Sequence, residues 1–318
     1  PKIFNDFIGQ GRIKENLRIC IDAANKRGEV VDHILFSGPP GLGKTTLSQI
    51  ISNETNASLK SSSGPVLERP GDLAGILTNL QHGDILFIDE IHRLGRVVEE
   101  YLYSAMEDFV IDILIDQGPN ARSVKLNLPN FTLIGATTRE GLLTSAFRSR
   151  FGIFERFDYY PWTDLFKIAI NTAKKLKIDI DEKGAEIIAK RSRGTPRLVN
   201  RFLKRIRDVA QIKGNNRITE EMALEGLKMI GIDEKGLGEM DRRILQTLVQ
   251  MGGGPVGLKT IAISVGEEED TIEDVYESYL IQQGYINKTP RGRMATELAF
   301  SHFSNVKVQG LQKELDIF

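Results

Sequence analysis

A chain of 318 residues, with net charge −1, 41% apolar and 27% charged residues, is long enough for two or three cores and too evenly charged to act as a polycation throughout. No apolar run nears the roughly 20 residues that span a bilayer, so membrane insertion is not expected, and any nucleic-acid contact must come from local basic patches. A single cysteine argues against a disulfide scaffold and for a reducing, cytoplasmic setting.

The chain opens on Pro1-Lys2 without an initiator methionine, and a short preceding segment is expected. An amphipathic helix is predicted over residues 10–26, where Cys20 falls on a face with Ile13, Leu17, Ile21 and Ala24 and is expected in the core. A strand over 33–37 then runs into Gly38-Pro39-Pro40-Gly41-Leu42-Gly43-Lys44-Thr45-Thr46. Gly38, four residues, then Gly43-Lys44-Thr45 is the Walker A spacing, in which backbone N–H groups curl around phosphate oxygens at a helix start. Lys44 is expected on the β and γ phosphates, Thr45 on a magnesium ion and Thr46 near the α phosphate.

A strand is predicted over 58–62, a helix over 73–80, and a buried parallel strand over 85–88 that ends in Asp89-Glu90. Parallel strands deliver their C-terminal residues into the crevice where ligands bind. Asp89 is therefore expected to hold magnesium and Glu90 to accept a proton from the attacking water, while His92 is expected to bond near the site rather than to catalyse. A helix over 97–106 ends near Glu107-Asp108-Phe109, which are set among the candidate nucleotide contacts.

Ile111, Ile113 and Ile115 alternate with Asp112, Leu114 and Asp116, and after Gln117-Gly118-Pro119-Asn120 the alternation resumes at Val124, Leu126 and Leu128. This predicts an inserted β-hairpin over 110–128 that is either a sheet edge of the domain or, through its apolar residues Ile111, Ile113 and Leu126, a partner-docking surface. A buried strand over 131–136 ends in Thr137-Thr138, hydroxyls placed to sense a γ phosphate or its water. Arg148-Ser149-Arg150 follows, and a last short strand is predicted over 156–160, closed by Pro161.

Helices are then predicted over 162–175, 181–193, 196–212 and 219–229. Arg197 follows Thr195 and Pro196 at a helix start, where a cation is disfavoured unless an anion lies nearby. Residues 231–239 are predicted to be a linker. Beyond it come a helix over 241–250, a glycine-rich break, a short helix over 258–265, and a longer helix whose start is marked by Thr271 and Asp274 at capping-box spacing. The basic turn Asn287-Lys288-Thr289-Pro290-Arg291-Gly292-Arg293 then makes a winged-helix pattern in which Lys288, Arg291 and Arg293 meet DNA phosphates.

The phosphate loop, Asp89-Glu90-Ile91-His92-Arg93, Gly135-Ala136-Thr137-Thr138, Arg148-Ser149-Arg150-Phe151-Gly152, Gly194-Thr195-Pro196-Arg197 and Thr289-Pro290-Arg291-Gly292-Arg293 occur in one order. Together they resemble the RuvB family, the bacterial Holliday-junction branch-migration motors of the AAA+ superfamily, over essentially the whole chain. The resemblance implies an α/β AAA+ P-loop domain with a parallel sheet over residues 1–160, a helical lid over 161–232 and a winged-helix DNA-binding domain over 239–318.

It also implies Thr138 as sensor 1, Arg150 as an arginine finger offered to a neighbouring subunit, Arg197 as sensor 2, and Ile8, Gly9 and Tyr160 beside adenine. ATP and magnesium are the implied cofactors. The implied partners are duplex or junction DNA, RuvA through the hairpin, RuvC in a shared assembly, and copies of the same chain in a hexameric ring. Two rival expectations stand beside it: a clamp-loader-like ATPase, and an ATP-switched DNA-binding regulator with little hydrolysis.

Overall fold

The computed structural model describes residues 1–115 and 122–304. They form two compact units, one made of Pro1–Thr172 with Gly194–Arg201, the other of Ala173–Arg193 with the chain from Phe202 onward. Among the described residues, no helix is long and apolar enough to cross a membrane.

The first unit is built on a five-stranded parallel sheet in the order β2-β3-β6-β1-β7, formed by β1 (Ile34–Ser37), β2 (Leu59–Ser63), β3 (Ile85–Asp89), β6 (Thr132–Thr137) and β7 (Ile153–Arg156). β1 and β6 are buried at every position and β3 at all but its last residue, as strands covered on both faces must be. Helices α1 (Gly11–Arg27), α2 (Lys44–Glu54), α3 (Pro70–Leu77) and α4 (Arg96–Glu107) connect the strands or precede them, and a four-residue α5 (Ser145–Arg148) leads into β7. On α1, Ile13, Leu17, Ile21 and Ala24 are buried while Cys20 is half-buried at the edge of that face. Because the strands are parallel and in register, with Ser37 opposite Thr137 and Ser63 opposite Asp89, the phosphate loop, the acidic pair and the two threonines leave the sheet at one edge.

The last strand ends four residues earlier than predicted. β7 lies at the sheet edge and alternates buried Ile153 and Glu155 with exposed Phe154 and Arg156. Phe157 makes the final backbone bond to Ser37, at 2.9 Å, and sets its ring edge-on to Phe36. Residues 158–160 therefore leave the sheet, and Tyr160 reaches the phosphate loop from a connection rather than from a strand.

The hairpin forms from β4 (Val110–Ile115) and β5 (Arg122–Asn127), and its expected turn at 117–120 lies outside the described residues. Its base faces inward. Ile111 is 1% exposed within the cluster of Leu128, Phe131, Leu133 and Leu102, and Leu126, directly opposite it, packs on the same cluster. The expected docking role of Ile111 and Leu126 is corrected accordingly: this apolar face covers the domain's own core. Farther along, Val124, opposite Ile113 in the ladder, is exposed.

Phe109 is also corrected. Its ring lies 5.8 Å from Phe131 and 6.1 Å from His33, so it is a packing residue, held by a left-handed backbone at φ 51°. His33 links this region to the sheet: Nε2 donates to the Met106 carbonyl and Nδ1 accepts from the Leu133 amide.

In the second unit, α7 (Glu182–Arg191) packs on α9 (Glu220–Met229), with Gly226 set against Ile206. Residues 231–239 are ordered rather than slack. Asp233 accepts from the amides of Lys235 and Leu237, and Arg193 donates to the Gly236 carbonyl at 2.7 Å. Arg193 also pairs with Asp241, which is 1% exposed in the first turn of α10 (Glu239–Gln250), and its guanidinium covers the Tyr279 ring at 4.9 Å.

Past α11 (Leu258–Val265), the next helix starts at Glu269 with Glu268 as its cap, passes through a π-helical segment Ile272–Glu277, and ends at Gln282. Thr271 is helical, at φ −63° and ψ −41°, so the expected capping box is absent; its Thr and Asp sit inside the helix instead of opening it. The wing is the antiparallel pair Ile286–Thr289 and Gly292–Ala295, followed by a helix at Glu297–Ser304.

Candidate functional site

The phosphate loop is shaped by what presses on it. Gly41, at φ 80°, has no room for a Cβ, which would lie 2.9 Å from both the Arg197 Cβ and the Thr195 methyl. That closeness lets the Arg197 amide bond the Gly41 carbonyl at 3.3 Å and brings the start of helix α8 (Pro196–Lys213) onto the loop. On the other side Phe7 packs under Gly43, Tyr160 donates its hydroxyl to the Leu42 carbonyl at 3.1 Å, and Gly9 abuts the Tyr160 ring. Ile8 is half-buried between Phe7 and Gly9. Loop, Arg197, Tyr160 and the Ile8-Gly9 segment are thus brought together as expected. Phe7 is not among the residues the sequence singled out; its only signal there is an apolar residue two positions before Gly9.

Lys44 is 7% exposed at the first position of α2, with its ammonium on the carbonyls of Gly38 at 2.6 Å and Pro39 at 2.9 Å. Burial pushes its pKa down to about 8; Asp89 and Glu90 oppose the shift, and the positive charge of Arg197 adds to it. Two cations held this close are arranged for an anion. Nucleotide phosphates would restore the ordinary pKa of Lys44, so binding above pH 8 takes up a proton. The expected result is an ATP affinity that is flat below about pH 8 and falls about tenfold per pH unit above it. Fluorescent-nucleotide titration measures this, and Lys44→Arg, whose guanidinium stays charged, should flatten the profile.

Asp89 closes β3, half-buried, and accepts the Glu90 amide at 3.0 Å. Glu90 adopts a left-handed backbone, φ 49° and ψ 44°, that turns its side chain out of the strand direction. This turn depends on Gly64 at the end of β2, where a Cβ would lie 2.3 Å from the Glu90 carbonyl oxygen. Thr138 Oγ1 is 3.5 Å from Glu90 Oε2, and His92 Nε2 is 3.5 Å from the same oxygen. Thr45 is exposed and Thr46 half-buried in the first turn of α2.

Arg150 is elsewhere. It pairs with Glu107 at 3.2 Å, donates to the Ala146 carbonyl and stacks over the Tyr103 ring at 4.1 Å. Asp108 is exposed next to Glu107. Every one of these partners lies on α4 or α5, and none of them is among the residues named above as contacting the phosphate loop.

The wing cations are divided. Arg291 is exposed at the turn, whereas Arg293 is 11% exposed and held by Glu277 at 2.7 Å and Glu273 at 2.8 Å. Lys288 bridges the same two carboxylates, at 2.9 Å to Glu277 and 3.0 Å to Glu273, and its hydrogen bond holds the Glu273 carboxyl below its ordinary pKa. Arg293 is thus corrected from a phosphate contact to the ion pair that fastens the wing to the preceding helix.

Three family models cover the chain in succession: the Holliday junction DNA helicase RuvB P-loop domain over residues 1–157, the RuvB AAA lid domain over 160–233 and the RuvB C-terminal winged-helix domain over 234–304. The Holliday junction branch migration complex subunit RuvB of Salinibacter ruber is 57% identical over 304 residues, 95% of this chain and 88% of the relative. That of Prosthecochloris aestuarii is 59% identical over 307 residues, 96% of this chain and 90% of the relative. The solved Thermotoga maritima RuvB Holliday junction branch migration motor superposes with a TM-score of 0.88 at 48% identity, covering 95% of this chain and 97% of that one. With the phosphate loop, the acidic strand end and the wing in one chain that all three models span, the protein belongs to the RuvB family.

Proposed function

We propose that this chain is the ATP-hydrolysing motor subunit of a Holliday-junction branch-migration complex, working as a homohexameric ring with RuvA and, in a shared assembly, RuvC. The observation that carries the reading is the division of cations: Lys44 and Arg197 converge on the subunit's own phosphate loop, while Arg150 is held on another face with Glu107. Such a site is complete only when a neighbour supplies the third cation. Glu107 and Asp108 lie beside Arg150, so any nucleotide they meet is that neighbour's.

The chain's residues divide the work. The loop amides and Lys44 neutralise the phosphates, Glu90 takes the proton of the attacking water, Thr138 senses the γ phosphate, and Arg150 stabilises transition-state charge in trans. Thr45 and Asp89, hard oxygen donors at the loop and the strand end, fit magnesium, which takes few protein ligands beside phosphate oxygens and supplies further charge neutralisation when bound. Tyr160, Gly9 and Ile8 border the adenine. We take residues 1–160, 161–232 and 239–318 as the ATPase, lid and winged-helix domains. The hairpin's docking surface moves outward from Ile111 and Leu126 to the stretch around Ile113 and Val124.

The test is branch migration of a synthetic four-way junction by the full chain with RuvA and ATP. Absence of migration with intact ATP hydrolysis would overturn the motor reading. In the same system Arg291→Ala should weaken DNA binding evenly across sequences and lower the slope of log affinity against log salt by about one. Arg293→Ala should act through stability, because it leaves Glu277, 5% exposed, facing one cation fewer. Breaking a buried pair costs up to about 3–5 kcal/mol, and thermal unfolding would show it.

A further inference from the structure

His92 lies two residues past Glu90, and its side chain is 6% exposed. Nδ1 lies 2.9 Å from the hydroxyl of Thr137, the fully buried last residue of β6, and Nε2 lies 3.5 Å from Glu90 Oε2. The Thr137 hydroxyl also accepts the Arg139 amide at 3.0 Å. In the neutral tautomer that leaves Nδ1 unprotonated, the Thr137 hydroxyl donates to Nδ1 while accepting the Arg139 amide. The imidazole proton is then on Nε2, directed at Glu90.

We infer that His92 is the positioning residue of the hydrolytic step, holding the Glu90 carboxylate through one oxygen and tying it to the end of β6. Thr138 converges on the same oxygen from the next position of that segment. Both contacts are long, at 3.5 Å, and hydrogen bonds to catalytic groups tighten in the reacting complex. The left-handed backbone at Glu90 turns the side chain out of the strand direction, and the His92 contact sets the position of one of its oxygens. A carboxylate anchored by one oxygen presents the other along one line to water. Because Thr137 and Thr138 belong to one segment, the position of the base follows the segment that meets the γ phosphate.

The inference rests on Glu90 being the base, and the experiment separates the two. His92→Ala in the full chain should lower kcat about 10- to 100-fold while nucleotide affinity and melting temperature stay near wild type. His92→Gln, whose amide nitrogen sits at similar reach and can donate to Glu90, should recover most of the loss. In a Glu90→Gln background His92→Ala should cost nothing further. Equal loss in the Ala and Gln variants, a matching fall in nucleotide affinity, or a full additional loss in the Glu90→Gln background would each overturn the positioning role. If Glu90→Gln alone keeps wild-type turnover, the base assignment itself fails, and this inference fails with it.

Discussion

Arg150→Ala is expected to lower ATP turnover by about 10³- to 10⁵-fold, the effect of removing an arginine finger, while leaving nucleotide affinity nearly unchanged. The affinity is spared because Lys44 and Arg197 come from the same subunit as the loop, whereas the partners of Arg150 are Glu107, Tyr103 and Ala146. Its resting place is weakly held. Glu107 is 55% exposed, and an exposed ion pair contributes about 0–1 kcal/mol, so a neighbour's phosphate can draw the guanidinium away. The Nε atom is buried without a hydrogen-bond partner among the described residues, a further reason for the guanidinium to favour a new acceptor.

Mixing supplies the decisive measurement. A ring containing Arg150→Ala and Glu90→Gln subunits has some sites in which an intact Glu90 faces an intact Arg150 across the interface. Turnover above that of either variant alone is the expected outcome. A mixture no more active than its components would place the arginine in its own subunit's site.

Glu90→Gln should lower turnover about 10²- to 10⁴-fold by removing a general base, with nucleotide binding retained. Glutamine preserves size and can still accept from Thr138 and His92 at the oxygen those residues already approach. The left-handed turn at Glu90, shaped by Gly64, is backbone geometry and survives the exchange. Asp89→Asn differs in kind: it removes charge beside Lys44 and a magnesium donor, so binding and turnover should fall together. Isothermal titration with a slowly hydrolysed ATP analogue, run beside steady-state hydrolysis, separates the two. Loss of binding in Glu90→Gln would make Glu90 part of the binding site rather than the base.

The phosphate loop, the acidic strand end and the order of strands and helices were legible in the residues because each rests on local chemistry. Gly41 and Gly43 hold left-handed backbone angles that glycine adopts without strain, and the runs 85–88 and 131–136 are apolar because both faces of the sheet are covered. The hairpin's existence followed from its alternation. Which way that hairpin faces did not, since Ile111 looks the same whether it meets a partner or Leu128 and Phe131. Thr271 misled because capping spacing recurs by chance inside helices, and Glu268 opens this one without a side-chain hydrogen bond.

The division that matters most for function lies along the same line. Residue types and spacing led to the expectation that a nucleoside triphosphate binds between Lys44 and Asp89-Glu90 and that a basic wing follows. They could not say that Arg293 is consumed by Glu277 and Glu273 while Arg291 stays exposed, that Arg150 rests on Glu107, or that His92 lies between Thr137 and Glu90. Those outcomes depend on which polar and charged side chains meet across 16 to 45 residues of chain, as Arg293 does Glu277 and His92 does Thr137. Opposite charges pair wherever the packed core brings them within reach, and the packing of the whole domain sets that proximity.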